Sequence, residues 1–383
     1  MPRVPVFGDA HDGIPSSSRH LIDLRGLDLT PIECQDDVKM TSEDANVEGV
    51  DVNSKRVETA QIGEVIPGFR GTALVQRGGE VVFQYAGGTT GRQPDSTIDV
   101  TTRFQIASVS KQFTAAAVLL LVDRGLVSLD DHLVDLLEGS PSTWEGITVH
   151  QLLCHTSGLV HWQQLPELDL TARVPVDEEL ALFRRAPLLS VPGSAYAYSS
   201  PGYVLLAHIV ERVSGSPYRD FLTDEIFSPL ELRSTFAGNG EGESDLASPL
   251  NRGESVVSFE LDVVGMGAGD AWSTIGDLAA WDAALDTGRL LSEESRRRMF
   301  SVHTPVAIEQ DGLTLDGYGY AWFLGDVLGH SIVFHTGDNA GFQSINATLP
   351  DDDARFIALT NDTATDLLGT SLSLLAVAIG VSS

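Results

Sequence analysis

Phe104-Gln105-Ile106-Ala107-Ser108-Val109-Ser110-Lys111, running on into Gln112-Phe113-Thr114 and the apolar stretch 115–122, decides how this chain is read. From about Ser108 to Arg124 the pattern predicts a helix that is apolar nearly all round, hence a buried central one, with Gly125 where a C-terminal cap belongs. A helix sets residues i and i+3 on one face, so Ser108 and Lys111 become neighbours. A serine hydroxyl is a poor nucleophile until a base removes its proton. A lysine amine serves as that base if burial lowers its pKa toward neutrality. The helix N-terminus adds N–H groups and a positive dipole end, which favour a developing oxyanion. Alone, Ser-x-x-Lys also describes a capping serine beside a solvent-facing lysine. The composition favours the first reading: the chain has 21 arginines and only three lysines, at 39, 55 and 111, so a single amine is kept beyond residue 55.

Outward from this helix, the segments 71–76 and 80–85 are β-rich runs joined by Arg77-Gly78-Gly79, a hairpin turn. Residues from about Leu126 to Phe259 read as mainly helical with loops. Within them Tyr203–Ser214 is a helix ended by Gly215, and the Gly-, Ser- and acid-rich stretch 237–254 reads as an exposed loop. Near Ser273 another helix begins, capped by Ser273 or Thr274, with Leu278, Trp281 and Leu285 at helical spacing. Strands return at 319–324, 331–335, 342–349 and 355–361, and Leu367–Val381 closes the chain as a helix. The order strands, helices, strands places the first and last segments in one sheet. The domain expected over 51–383 then has a sheet lobe (51–125 and 260–383), a helical lobe (126–259) and a cleft between them. Residues 1–50 are polar and acidic and read as a poorly ordered extension, the alternative being a segment that packs on the domain or meets a partner.

Composition narrows the function. The 383 residues are 42% hydrophobic, ample for a substantial core. A formal net charge of −30 argues against nucleic acid and against anionic membrane surfaces as partners. Two cysteines, Cys34 and Cys154, make no disulfide framework, and Cys154 reads as a small buried hydrophobe. Met1–Ser18 has no apolar core of a secretory signal, and no apolar run approaches the roughly 20 residues of a membrane span. A cytoplasmic location is the default expectation. His155 and His161 are six apart with no matching Cys or carboxylate cluster, so no metal is expected. Gly265-Met266-Gly267-Ala268-Gly269 lacks the tail of a phosphate loop and reads as cleft lining.

Two further elements carry chemistry. Pro192-Gly193 and then Tyr198-Ser199-Ser200-Pro201-Gly202-Tyr203 lead into a helix; Tyr198 can shuttle protons between Ser108 and a leaving group, or be a packed loop aromatic. His335-Thr336-Gly337-Asp338 ends a strand, with Gly341-Phe342 opening the next. A strand edge beside the nucleophile can donate backbone N–H groups to a carbonyl oxygen; His335 alone reads as an ordinary strand histidine.

With these motifs in order, the chain, from about Val57 to its end, resembles the serine β-lactamase and penicillin-binding-protein superfamily. The branch is the one holding class C β-lactamases and related esterases and D-aminopeptidases. Ser-x-x-Lys falls on Ser108 and Lys111, Tyr-x-Asn on Tyr198-Ser199-Ser200, and Lys-Thr-Gly or His-x-Gly on His335-Thr336-Gly337. The stretches 152–159 (LLCHTSGL), Pro192-Gly193 and 273–278 (STIGDL) also look like the family. The resemblance implies an α/β (α+β) fold, an antiparallel sheet flanked by helices plus a mainly helical second lobe. It implies that Ser108 is acylated, that Lys111 and Tyr198 share the base and acid roles, and that the backbone N–H groups of Ser108 and Asp338 form the oxyanion hole. Ser200, His335, Thr336 and Gly337 would contact substrate, a small ester or peptide-like amide, with no cofactor. Ser200 stands where the motif has Asn and reaches less far. His335 stands where β-lactamases place Lys and holds a carboxylate less firmly. Both departures point away from penicillin-type substrates, toward esters, amides or acyl transfer. A transacylase or peptide cyclase using the same residues, and a catalytically inactive binding module, are the alternatives; oligomeric state is not legible.

Overall fold

The structure, a computed structural model, describes residues 65–92, 96–310 and 313–380; the extension over 1–50, and with it Cys34 and Lys39, lies outside them, as does Lys55. In chain order the strands are β1 (Gly71–Arg77), β2 (Glu80–Gly87), β3 (Phe104–Gln105), β4 (Phe236–Ala237), β5 (Leu250–Asn251), β6 (Glu254–Ser255), β7 (Ala271–Ser273), β8 (Thr304–Gln310), β9 (Leu313–Tyr318), β10 (Phe323–Val327), β11 (His330–Asn339), β12 (Phe342–Leu349) and β13 (Ala354–Thr360). Eight of them form one antiparallel sheet in the order β2-β1-β13-β12-β11-β10-β9-β8. The first and last segments of the chain do meet: Thr72 of β1 pairs with Leu359 of β13, and the register runs to Arg77 opposite Ala354. Gly78 and Gly79 both take positive φ in the β1–β2 turn, as the tight hairpin turns require.

The helices are α1 (Lys111–Asp123), α2 (Leu133–Leu136), α3 (Val149–Leu153), α4 (Val176–Arg185), α5 (Ser200–Ser214), α6 (Tyr218–Leu222), α7 (Ile275–Thr287), α8 (Glu293–Met299) and α9 (Leu367–Ile379). Every residue of α1 from Lys111 to Leu121 is buried, as its all-round apolar sequence demands. Ser199 caps α5 through its side chain and Thr274 caps α7, and Gly215 and Gly288 end them in the left-handed conformation. The sheet separates two cores. Leu374, Leu375 and Ala378 of α9 pack on Ala73, Val75, Ile345, Ala347, Phe356 and Ala358. The larger core joins α1, α5 and α7 to the opposite face, through Leu74, Ile357 and Leu359.

Three expectations need correction. The strand read over 319–324 straddles a turn: the Gly319 N–H bonds the Trp322 carbonyl and Ala321 takes φ +66°, so β9 ends before it and β10 begins after it. β8 carries Pro305 and weak alternation, and was not read as a strand. The stretch 237–254 is exposed only in part, at 241–245 and 251–254. It is tied to the body by Gly238 N–H to Asp270, Ala247 N–H to Arg103 and Ser248 N–H to Thr90, and it buries Leu246, Ala247 and Leu250. No helix among the described residues is long and apolar enough to cross a membrane.

Candidate active site

Ser108 does not stand on the α-helix. It lies in a 3₁₀ turn, Ala107–Ser110, that runs into α1 at Lys111. The residue before it, Ala107, takes φ +47°, a left-handed conformation costing about 1 kcal/mol for a side chain with a Cβ. The turn is held from both ends. The Ile106 N–H donates to the Ala271 carbonyl at 3.0 Å, and the Ala271 N–H donates to the Ser110 hydroxyl at 3.0 Å. The i, i+3 relation survives this geometry: Lys111 Nζ is 2.9 Å from Ser108 Oγ. The amine also donates to the Ala268 carbonyl at 2.6 Å, and the rings of Tyr198 and Tyr203 lie 5.1 and 5.6 Å away. Lys111 is fully buried. Desolvation pushes its pKa well below the ordinary lysine value, and the charge of Asp270 pulls it part of the way back. A neutral amine that donates one N–H to Ala268 is free to turn its lone pair on the Ser108 proton.

Tyr198 completes the group. Its ring lies 5.1 Å from Lys111 Nζ, and burial raises the pKa of its hydroxyl, so it stays a phenol at neutral pH. The loop carrying it is clipped to the 155–161 loop. His155 takes the Ala197 N–H on its carbonyl at 2.8 Å and the Ser199 N–H on Nδ1 at 3.2 Å. His161 Nδ1 takes the Ser200 N–H at 3.1 Å. Their rings flank Tyr198, His155 at 4.2 Å and His161 edge-on at 5.3 Å. Accepting on Nδ1 fixes both as neutral imidazoles with hydrogen on Nε2. Burial and the Lys111 charge keep them so, taking His161 to about 3.

The opposite wall is β11. Its partner β10 covers it only through Phe334, so on that edge the segment from His335 to Asn339, paired with β12 on the other, meets the Ser108 turn. Gly337 is obligatory there: a Cβ would fall inside contact distance of the Ile106 carbonyl oxygen, the Ser344 hydroxyl and Ala107. Asn339 bonds Gln105 and the Gly269 carbonyl, fixing the strand end. Asp338 is exposed and Thr336 half-buried beside it.

The sequence profile of the Beta-lactamase family matches residues 57–377. The chain belongs to the beta-lactamase family. A penicillin-binding protein of Bacillus subtilis (strain 168) is 28% identical over 314 residues, 76% of this chain and 68% of the relative. The esterase EstB of Burkholderia gladioli is 33% identical over 198 residues, 48% of this chain and 50% of the relative. The chain therefore spans about half to two thirds of these relatives' length. The crystal structure of a D-amino acid amidase from Ochrobactrum anthropi SV3, complexed with L-phenylalanine, superposes with a TM-score of 0.73 over 84% of this chain and 98% of that one, at 23% identity, which fixes the shared fold. This family member is thus a β-lactamase-related serine hydrolase, mixed α/β in architecture.

Within that family frame one sequence-assigned contact changes role. His335 is fully buried, with Nδ1 donating to the Thr336 carbonyl at 2.6 Å and Nε2 accepting from the Tyr318 hydroxyl at 3.1 Å. Both ring nitrogens are engaged inside the protein, and burial takes its pKa to about 3. It braces the wall and has no nitrogen left for a substrate carboxylate. Ser200 Oγ is buried without a hydrogen-bond partner. Conversely, His155 and His161 were weighed in the sequence only as metal ligands; among the described residues no group of three or more His, Cys, Asp or Glu is placed to hold an ion. The signal for His155 was its place in the LLCHTSGL stretch. Asp270 gave no signal at all beside the glycine run. Cys154 is buried as expected, and burial raises its thiol pKa.

Proposed function

We propose that this protein hydrolyses small esters or peptide-like amides through a Ser108 acyl-enzyme. The carrying observation is the 2.9 Å approach of Lys111 Nζ to Ser108 Oγ with the amine wholly desolvated. Lys111 takes the hydroxyl proton as Ser108 Oγ forms its bond to the acyl carbon. The oxyanion is received by the backbone N–H groups of Ser108 and Asp338. Tyr198, whose ring lies beside Lys111, passes a proton to the departing alcohol or amine. Water then enters by the reverse relay and releases the acid.

The pocket favours neutral or cationic substrates. The His335 nitrogens are consumed internally and the imidazole is uncharged above about pH 3, while Lys111 serves Ser108 and Ala268. Neither offers a fixed cation to a substrate carboxylate. The esterase and amidase activities that the relatives' names print agree with such substrates. The test is a panel of p-nitrophenyl esters, D-amino-acid amides and a cephalosporin. Turnover of the uncharged members that vanishes in Ser108→Ala supports the reading; preferential turnover of the cephalosporin, or turnover that survives Ser108→Ala, refutes it.

A further inference from the structure

We propose that Asp270 is a positioning residue for Lys111, a buried carboxylate that keeps the amine basic enough to take the Ser108 proton. The proposal rests on the Ser108–Lys111 reading and deepens it. The segment from Gly267 to Ala271 lies as a strap along α1. Its Gly267 carbonyl accepts from Thr114 Oγ1 at 2.6 Å, its Ala268 carbonyl from Lys111 Nζ at 2.6 Å, and its Ala271 holds the Ser108 turn at both Ile106 and Ser110. Asp270 sits inside this strap with no exposed surface. Its backbone carbonyl is taken by the Gly238 N–H at 2.8 Å, yet neither carboxylate oxygen has a hydrogen bond of good geometry; the Gly267 N–H and its own N–H make only weak approaches. A carboxylate left unpaired in the interior is costly unless it serves a nearby charge.

The groups that act on Asp270 are Arg219 from α6 and, more weakly, Lys111 from α1, and its charge acts in turn on Tyr218 of α6. The Tyr218 hydroxyl is bonded to Thr114, and Arg219 is already paired with Asp262 at 2.6 Å. Lys111 is faced in turn by Ser108, Tyr198, Tyr203 and the neutral rings of His155, His161 and His335, none of them negative. Asp270 is the negative charge that acts on the amine.

The balance matters because a base works best with a pKa near the operating pH. Burial alone drives the amine far down, where it is neutral but too weak to take a serine proton. A carboxylate in the same dry pocket lifts it back. Burial raises the Asp270 pKa to about 7 and the Lys111 charge draws it back, while Asp270 raises Lys111, so each group's titration depends on the other's charge. Asp270 touches no reacting atom; it acts through Lys111.

Three lysines in the whole chain make the test direct. The full-length protein labelled with 13C at lysine Cε is titrated by NMR as wild type and as Asp270→Asn, with Lys39 and Lys55 as internal references. The expected result is a downward move of the Lys111 midpoint by about one pH unit or more. The acid limb of kcat/KM follows it, and the plateau falls about tenfold as the base weakens. A folded Asp270→Asn with an unmoved Lys111 midpoint, while Lys111→Ala is inactive, refutes Asp270 alone. Lys111→Ala turning over at the wild-type rate refutes Lys111 as base and takes the role of Asp270 with it. If Asp270→Asn does not fold, the wild type still decides: the Asp270 carboxyl and Lys111 Cε resonances share an inflection if the pair is coupled, and separate inflections overturn the proposal.

Discussion

The two faces of the sheet differ in what they bury. Toward α9, β12 presents Ile345, Ala347 and Leu349, and the interior there is apolar. Toward α1 the same strand presents Ser344 and Asn346. Ser344 bonds the Ile106 carbonyl of the nucleophile turn, and Asn346 bonds Gln112 of α1 and Asp282 of α7. That side also buries Lys111, His155 and Asp270, with unpaired atoms on His155, Asp270, Asp282 and Ser200. Both faces supply stability by burial, the α1 side more; the α1 side adds desolvated polar groups that lower stability and make a reactive amine. The alternation of β12 puts both within one strand.

Gly337→Ala breaks the comparison where the two faces are joined. The added methyl collides with the Ile106 carbonyl and the Ser344 hydroxyl. Displacing the Ser108 turn by about 1 Å is expected to lower kcat by about 100-fold, a loss read in steady-state kinetics on protein whose circular dichroism is unchanged. Leu374→Ala attacks the other side. Leu374 is fully buried in the α9 core, so chemical denaturation should show a loss of about 3 kcal/mol, with kcat/KM unchanged well below the melting temperature. The smallest expected effect has the opposite sign. Lys111→Met removes a buried amine and should stabilise the fold by about 1 kcal/mol while abolishing turnover. The folded pKa of Lys111 lies below its unfolded value, so the unfolded chain binds the extra proton and the amine weakens the wild type at neutral pH. That penalty shrinks as pH rises toward about 10.4, and the gain from Met should shrink with it; urea midpoints at pH 7 and pH 10 check the sign.

The legible parts were those with local causes. Capping by Thr274, the stops at Gly125 and Gly215 and the double glycine of the first hairpin are written in a few adjacent residues. So was the apolar α1, and the i, i+3 spacing of Ser108 and Lys111 held although the turn is 3₁₀. The helix read from Tyr203, by contrast, starts at Ser200 under a Ser199 cap that was not read. The errors came where long-range contacts decide. The stretch 237–254 looks polar and free, but its backbone is tied to Thr90, Arg103 and Asp270, residues far from it in sequence. His335 was given a substrate role because its strand position fits the motif; the Tyr318 hydroxyl that occupies Nε2 comes from β9, which the alternation did not reveal. Asp270 acts only through the fold, which carries it under α1.

The central claim is tested most directly by rapid acid quench of the protein mixed with a p-nitrophenyl ester, followed by intact-mass and peptide mass spectrometry. The expected result is one acyl group on the peptide containing Ser108 in the wild type, none in Ser108→Ala, and formation slowed by about a thousandfold or more in Lys111→Ala. An acyl group on another side chain, or acylation of Ser108 that proceeds at full rate without the Lys111 amine, would contradict the account.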